Sequence, residues 1–187
     1  MKKSLFILVF AALAILSCNR PESSRENLQK SISEFSKKHA ELNIVASYYP
    51  KEYTEVNTDS IIANTFRVRI KNYSKMDSHI LVDSETNETK TKINYHRVFE
   101  SEIKIALASK PLFSTTINAN DFKDLSHPEF WNNATLEHVW VNQEASSDTE
   151  LHLSISIINP KNNTYKLYEL VVDHRGSQHL KIIEELI

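Results

Sequence analysis

The sequence predicts a mainly β protein: an antiparallel β-sandwich or strongly curved sheet of about seven or eight strands, preceded by one N-terminal amphipathic helix. Three observations carry this. In IANTFRVRIKN, Phe66, Val68 and Ile70 alternate with Arg67, Arg69 and Lys71; in LHLSISI, Leu151, Leu153, Ile155 and Ile157 alternate with His152, Ser154 and Ser156. Such alternation gives a strand one buried and one wet face. Turn signals recur every ~8 to 12 residues, the spacing of short sandwich strands. The runs at Phe66, Leu151 and Tyr165 are rich in β-branched and aromatic side chains, which suit a pleated, half-buried surface.

Each element can be justified in chain order. Ser23 and Glu26 match an S-x-x-E capping box, and Leu28, Ile32, Phe35, His39 and Leu42 follow at helical spacing. This predicts a helix over 24–41 with a narrow apolar stripe, suited to docking on its own domain or pairing with a partner. From Asn43 the period changes to two. Ile93, Tyr95, Phe99, Ile103, Ile105 and Leu107 share one parity, interrupted by Arg97 and Ser101, where a bend or bulge is expected. Residues 96–108 fit either a strand or a helix. Asn120 and Asp121 can cap a short helical turn, and His127-Pro128 can begin another, since proline is tolerated in a first turn. Residues 135–143 read as a strand. After the turn at Asn159-Pro160, strands over 165–173 and 178–184 flank His174-Arg175-Gly176-Ser177, with Gly176 supplying a positive φ for a tight hairpin.

The opening MKKSLFILVFAALAILSCN has a different logic. Lys2 and Lys3 precede an apolar run from Leu5 to Leu16, too short to span a membrane comfortably and of the length of a signal h-region. The run ends Ile15-Leu16-Ser17-Cys18, which resembles a bacterial lipobox: an aliphatic, a variable and a small residue before the cysteine that receives lipid. Leu16 is bulkier than the small residue usual at its place. The expected organisation is therefore a lipoprotein signal peptide at 1–17, a lipidated polar tether at 18–23, and a single domain at 24–187 made of the helix 24–41 and a β domain 43–187. Two or more acyl chains anchor a protein stably where one holds it only marginally.

Composition narrows the chemistry. Cys18 is the only cysteine, so its use for lipid excludes disulfides, cysteine zinc sites and thiol catalysis. The chain has 22 Lys and Arg against 24 Asp and Glu; residues 1–17 remove Lys2 and Lys3 and no acid, so the remainder carries 20 against 24, a net −4. Nothing basic invites nucleic acid. Gly176 is the single glycine. Dinucleotide turns, phosphate-cradling loops and GxSxG elbows all need glycines, so none can be built.

Eight histidines raise the question of a metal, yet no H-x-H or HExxH spacing occurs. The nearest groupings are Asp173, His174 and His179, or His138 with His152 if their strands pair in register. Scattered histidines on wet strand faces are the commoner arrangement, and no metal or other cofactor is expected. Hydrolysis would need paired carboxylates or a Ser, His and Asp set in a cleft; Glu100 and Glu102 share one strand face and read as solvated, and no catalytic residue is assigned. A binding surface is more legible: Tyr48, Tyr49 and Tyr53 in YYPKEY, and Trp131 in FW, combine apolar area with polar tips. The competing expectation is that Tyr49 and Trp131 cover the open ends of the sandwich. Asp59-Ser60-Ile61 is similar to the three-residue O-glycosylation site of Bacteroidetes envelope proteins, with Ser60 the acceptor.

The order FRVRIKNYSKMDS, PLFSTTINANDF, FWNNATLEHVWV, IINP and VVDHRG resembles a family of Bacteroidetes lipoproteins known as a domain of unknown function. The resemblance implies an envelope β domain and brings no catalytic residues. Together these readings lead to the expectation of a non-enzymatic, membrane-anchored envelope lipoprotein that binds a protein or glycan partner. The residues after Cys18 lack the dense acidic run that resembles a surface-export signal, so the outer membrane facing the periplasm is expected. Two alternatives from other classes are a hydrolase acting on envelope or dietary glycans or peptides, and a structural component of an envelope assembly.

Overall fold

The computed structural model describes residues 24–38, 43–87 and 90–187, and the chain divides into two units, Met1–Asn43 and Ile44–Ile187. The first contains helix α1, Ser24–Lys38. Its expected last residues, 39–41, lie outside the described residues, as do the signal, Cys18 and the tether. Residues 26–34 are exposed, Leu28 and Ile32 of the apolar stripe included. Among the described residues no helix is long and apolar enough to cross a membrane.

The second unit is a sandwich of two antiparallel sheets. Its strands are β1 Asn43–Tyr49, β2 Glu55–Ile62, β3 Phe66–Thr86, β4 Lys90–Leu107, β5 Lys110–Ile117, β6 Thr135–Val141, β7 Glu150–Asn159, β8 Thr164–Asp173 and β9 Gln178–Leu186. One sheet runs β1-β4-β3-β2, with β5 also pairing β4; the other runs β6-β7-β8-β9. These are nine strands among the described residues, more than expected, because β1 and β2 are largely exposed and lack a clear alternation to betray them. The ambiguity at 96–108 resolves as strand. Phe66, Val68, Ile70, Ile103, Ile105 and Ile117 of the first sheet face Leu136, Val139, Leu151, Leu153, Ile155, Ile157, Leu170 and Val172 of the second, and the core lies between them.

Short connections set the registers. Ile62 pairs with Phe66 around Ala63 and Asn64, both left-handed at φ 50° and 58°. Leu107 pairs with Lys110 around Ala108 and Ser109, at φ 44° and 71°. Such hairpin turns favour glycine or asparagine, so a chain nearly devoid of glycine holds L-residues in a conformation costing ~1–2 kcal/mol each. Ala108→Gly is therefore expected to stabilise the domain by about 1 kcal/mol, the relief exceeding glycine's entropic cost; urea denaturation checks it. Gly176 has the expected positive φ, 87°, and sits where a Cβ would touch Leu112 at 3.4 Å. The two short helical turns also form: a 3-10 turn at Ala119–Phe122 under a capping box of Asn118 and Asp121, and α2, Pro128–Trp131.

The sandwich closes at one corner through side chains. Asn72 of β3, only 4% exposed, donates from Nδ2 to the Val139 carbonyl at 3.0 Å and accepts the Val139 N–H at Oδ1, 2.9 Å. Ser101 Oγ donates to the same Oδ1. The Phe99 N–H donates to Thr135 Oγ1 at 2.9 Å. Strand β6 is the edge of its sheet, and these side chains satisfy backbone groups that no neighbouring strand pairs.

One end of the sandwich is plugged. Lys166, 2% exposed in its side chain, reaches Glu185 at 2.9 Å and lies 5.8 Å and 5.5 Å from the Phe130 and Trp131 ring centroids. Trp131 Nε1–H donates to Asp124 Oδ1 at 3.0 Å, and Asp124 also accepts from the Ser126 hydroxyl and N–H. The Ser126 hydroxyl first, then Trp131 and the Lys166 charge, hold the Asp124 carboxyl below its ordinary range.

Candidate functional site

Strands β3 and β4 fall out of step between Ser74↔Phe99 and His79↔Arg97: residues 75–78 face the single residue Val98. An excess of this kind bends a sheet; it falls at Arg97, one of the two positions expected from the interrupted parity, while at Ser101, the other, the register runs on unbroken with both β3 and β5. Beyond it the hairpin runs on to Thr86 and Lys90, supported on its other edge by β1. Arg97 is buried and binds the distortion together. Its Nε donates to the Pro50 carbonyl at 3.0 Å, Nη1 donates to the Met76 carbonyl at 2.7 Å, and its guanidinium lies 4.7 Å from the Tyr48 ring centroid.

The bend opens a cleft of about 310 Å³ lined by Tyr48, Tyr49, Asp83, Asn94, Tyr95 and His96, with Pro160 from the β7–β8 turn. Tyr48 stacks on Tyr95 at 5.1 Å, and His79 meets both rings edge-on at 5.4 and 4.6 Å. Tyr49 leans over His96 at 5.5 Å and is 71% exposed. Asn94 Nδ2 donates to Asp83 Oδ1 at 2.7 Å, which aligns a carboxylate and an amide side by side across the strands. His96 Nδ1 stands 2.7 Å from the Arg97 carbonyl; burial lowers its pKa against the opposing pulls of that carbonyl and Glu137. A neutral ring that donates from Nδ1 carries an acceptor lone pair on Nε2. The cleft thus offers an open aromatic face beside acceptors and donors.

Of the four aromatic residues singled out in the sequence, two meet here and two do not. Trp131 is 5% exposed and packs edge-to-face on Phe130 at 5.0 Å, so it is a plug of the sandwich end with no ring face for a partner. Tyr53 donates to Glu55 at 2.6 Å on the outer face of β2, away from the cleft; that bond, with Lys71 at 3.0 Å, brings the Glu55 carboxyl down to about 2. Ser60 is half-buried in β2 opposite the core residue Val68, while Asp59 faces outward between Arg67 and Arg69 at 3.0 Å from each. Asp83, Asn94, Tyr95 and His96 escape sequence reasoning because only the pairing of β3 with β4 brings residue 83 beside 94–96; the break at Arg97 alone signals that this part of the strand is special.

The other groupings resolve differently. His138 pairs with Ser156, so His152 is not its neighbour across the strands. Among the described residues no three His, Asp or Glu side chains converge as metal ligands would. Glu100 is not simply solvated: it accepts from Tyr73 at 2.9 Å and Lys75 at 3.2 Å, and burial, then Glu100, push the Tyr73 hydroxyl up to about 12. On the outer face of the second sheet His152 Nδ1 lies 3.2 Å from Glu169 Oε1, and Lys181 Nζ lies 2.6 Å from Oε2. Neither Nδ1 nor Oε2 makes a well-aligned hydrogen bond at these distances. Lys181 first, then His152, keep the Glu169 carboxyl below its ordinary range. A groove on this face, about 490 Å³, runs between Glu137, Trp140, Tyr165 and Glu184. Glu137 accepts from Ser156 at 2.5 Å and Glu184 from Tyr165, so both acids are already engaged.

No family model matches the chain, and no curated protein matches it.

Proposed function

We propose that this protein is a lipid-anchored component of the bacterial cell envelope whose β domain binds a glycan in the Tyr48–Tyr49 cleft without chemically altering it. One observation carries the reading: an exposed tyrosine face stands beside the Asp83–Asn94 pair and the His96 ring in one cleft. A sugar ring presents an apolar C–H face and a polar rim, and this combination matches both. The tyrosines bring apolar area with little side-chain freedom to lose, and the polar groups fix orientation. The lipobox at Cys18 supports anchoring, and the short polar run after it supports placement on the outer membrane, facing the periplasm.

Tyr49 suits the test because its exposure makes a fold defect on truncation unexpected. On an array of bacterial envelope and plant polysaccharide glycans, the full chain is expected to bind a defined subset. Tyr49→Ala should weaken that binding about tenfold, the worth of one stacked ring. Failure to bind any glycan, or an unchanged Tyr49→Ala, overturns the glycan reading. Anchoring has its own readout: the Cys18 peptide from native membranes should carry diacylglyceryl mass, and an unmodified thiol overturns it.

A further inference from the structure

Strand β9 ends its sheet, and among the described residues no strand pairs with its other side. All nine of its residues are exposed, with Leu180, Ile182, Ile183 and Leu186 each 44 to 56% exposed. An apolar edge of this length is a template for another strand. Its charges are arranged in halves: His179 and Lys181 come first, Glu184 and Glu185 follow. Antiparallel pairing of such a strand with itself sets each basic half against an acidic one.

The register can be deduced from the bulge. Opposite β8, Tyr168 pairs with Ile182 and Leu167 with Glu184, so Ile183 is the extra residue. Leu180 and Ile182 therefore face the core side, with Glu185, while His179 and Lys181 share the outer side with Glu184 and Leu186. Pairing of two strands must join residues on the same face. Because the bulge reverses the parity, a pairing that uses the whole of β9 joins residues before Ile183 to residues after it. Of the registers that do so, the one joining Lys181 to Glu184 of a second copy opposes unlike charges. It also places Ile182 against Ile183 across the two-fold axis and extends the row Tyr165–Glu184 and Lys181–Glu169 without a break. We infer that the β domain forms a two-fold homodimer through β9, merging two four-stranded sheets into one, with reciprocal Lys181–Glu184 pairs. This is independent of the cleft and its ligand.

Sedimentation of the full chain in density-matched detergent tests it. The wild type is expected at twice the chain mass. Lys181→Glu and Glu184→Lys should each turn two attractions into repulsions and weaken dimerisation about tenfold or more. Mixed one to one, the two variants should recover a dimer. One contact then joins the acid introduced in the first variant to the base introduced in the second, and the other joins the unchanged Glu184 and Lys181. Misfolding cannot produce that recovery, and circular dichroism verifies each variant beforehand. A wild type that stays monomeric at 100 μM (on the order of the weak-dimer range), variants that dimerise alone, or a mixture that stays monomeric each overturns the proposal.

Discussion

Asn72→Leu is expected to destabilise the β domain by about 4 kcal/mol, read as a lower urea midpoint with an unchanged slope. The side chain keeps the same branching with bulkier methyl ends, so no cavity arises, and the loss is one of hydrogen bonding with some crowding added. Asn72 satisfies the N–H and the carbonyl of Val139 together, in the manner of a missing strand. Val139 is fully buried, so water cannot replace the amide. Each stranded backbone group costs about 1–3 kcal/mol, and Ser101 loses its acceptor as well. Against a typical total of about 5–15 kcal/mol, this is enough to bring the domain close to unfolding at 37 °C. A cost under about 1 kcal/mol would mean that β6 finds other partners for its edge, and that the corner is held by apolar packing alone.

The importance of Asn72 is hard to read from sequence for a definite reason. In FRVRIKN it occupies the inward parity, where an asparagine usually announces the end of a strand; here β3 continues to Thr86. The core alternation at Phe66 is legible because a wet and a dry face leave a period; that at Leu151 is legible from residue type alone, since Ser154 and Ser156, expected on a wet face, are themselves buried at 5% and 7%. The hairpin beyond the bulge is not, because its strands are half-exposed and polar. β9 shows the same limit: every residue is exposed, so burial imposes no pattern, and only the glycine turn before it marks its start. The cleft is half legible. YYPKEY identifies two of its rings, and the parity break identifies Arg97, but their meeting depends on a four-against-one bulge that no local spacing specifies. Trp131 shows the reverse case: of its two sequence readings, the one in which it covers an end of the sandwich is the one the burial supports, with Asp124 and Lys166 set around the ring.

Arg97→Ala is expected to cost about 3 kcal/mol and to abolish ligand binding in the cleft, two effects that need not share a cause. One guanidinium crosses from β4 to the carbonyls of Pro50 and Met76 and packs on Tyr48, so it connects the turn after β1, the bulge in β3 and the aromatic wall. Its hydrogen bonds are charge-assisted and its surroundings largely dry, which places each at about 1.5–3 kcal/mol. The Met76 carbonyl lies at an exposed residue and can turn to water, so the global loss stays below the sum of both. The cleft has no such recourse. Without the fork nothing fixes the bulge relative to Tyr48, and binding must then supply the ordering that Arg97 supplied in advance. Hydrogen exchange separates the two effects: amides at 48–49 and 75–79 should lose protection in Arg97→Ala while those of β7 and β8 keep theirs. Arg97→Lys, with its charge retained but no fork to reach two carbonyls, should fall between. Uniform loss of protection across both sheets would instead make Arg97 an ordinary core residue, and the cleft's shape a property of the whole sandwich.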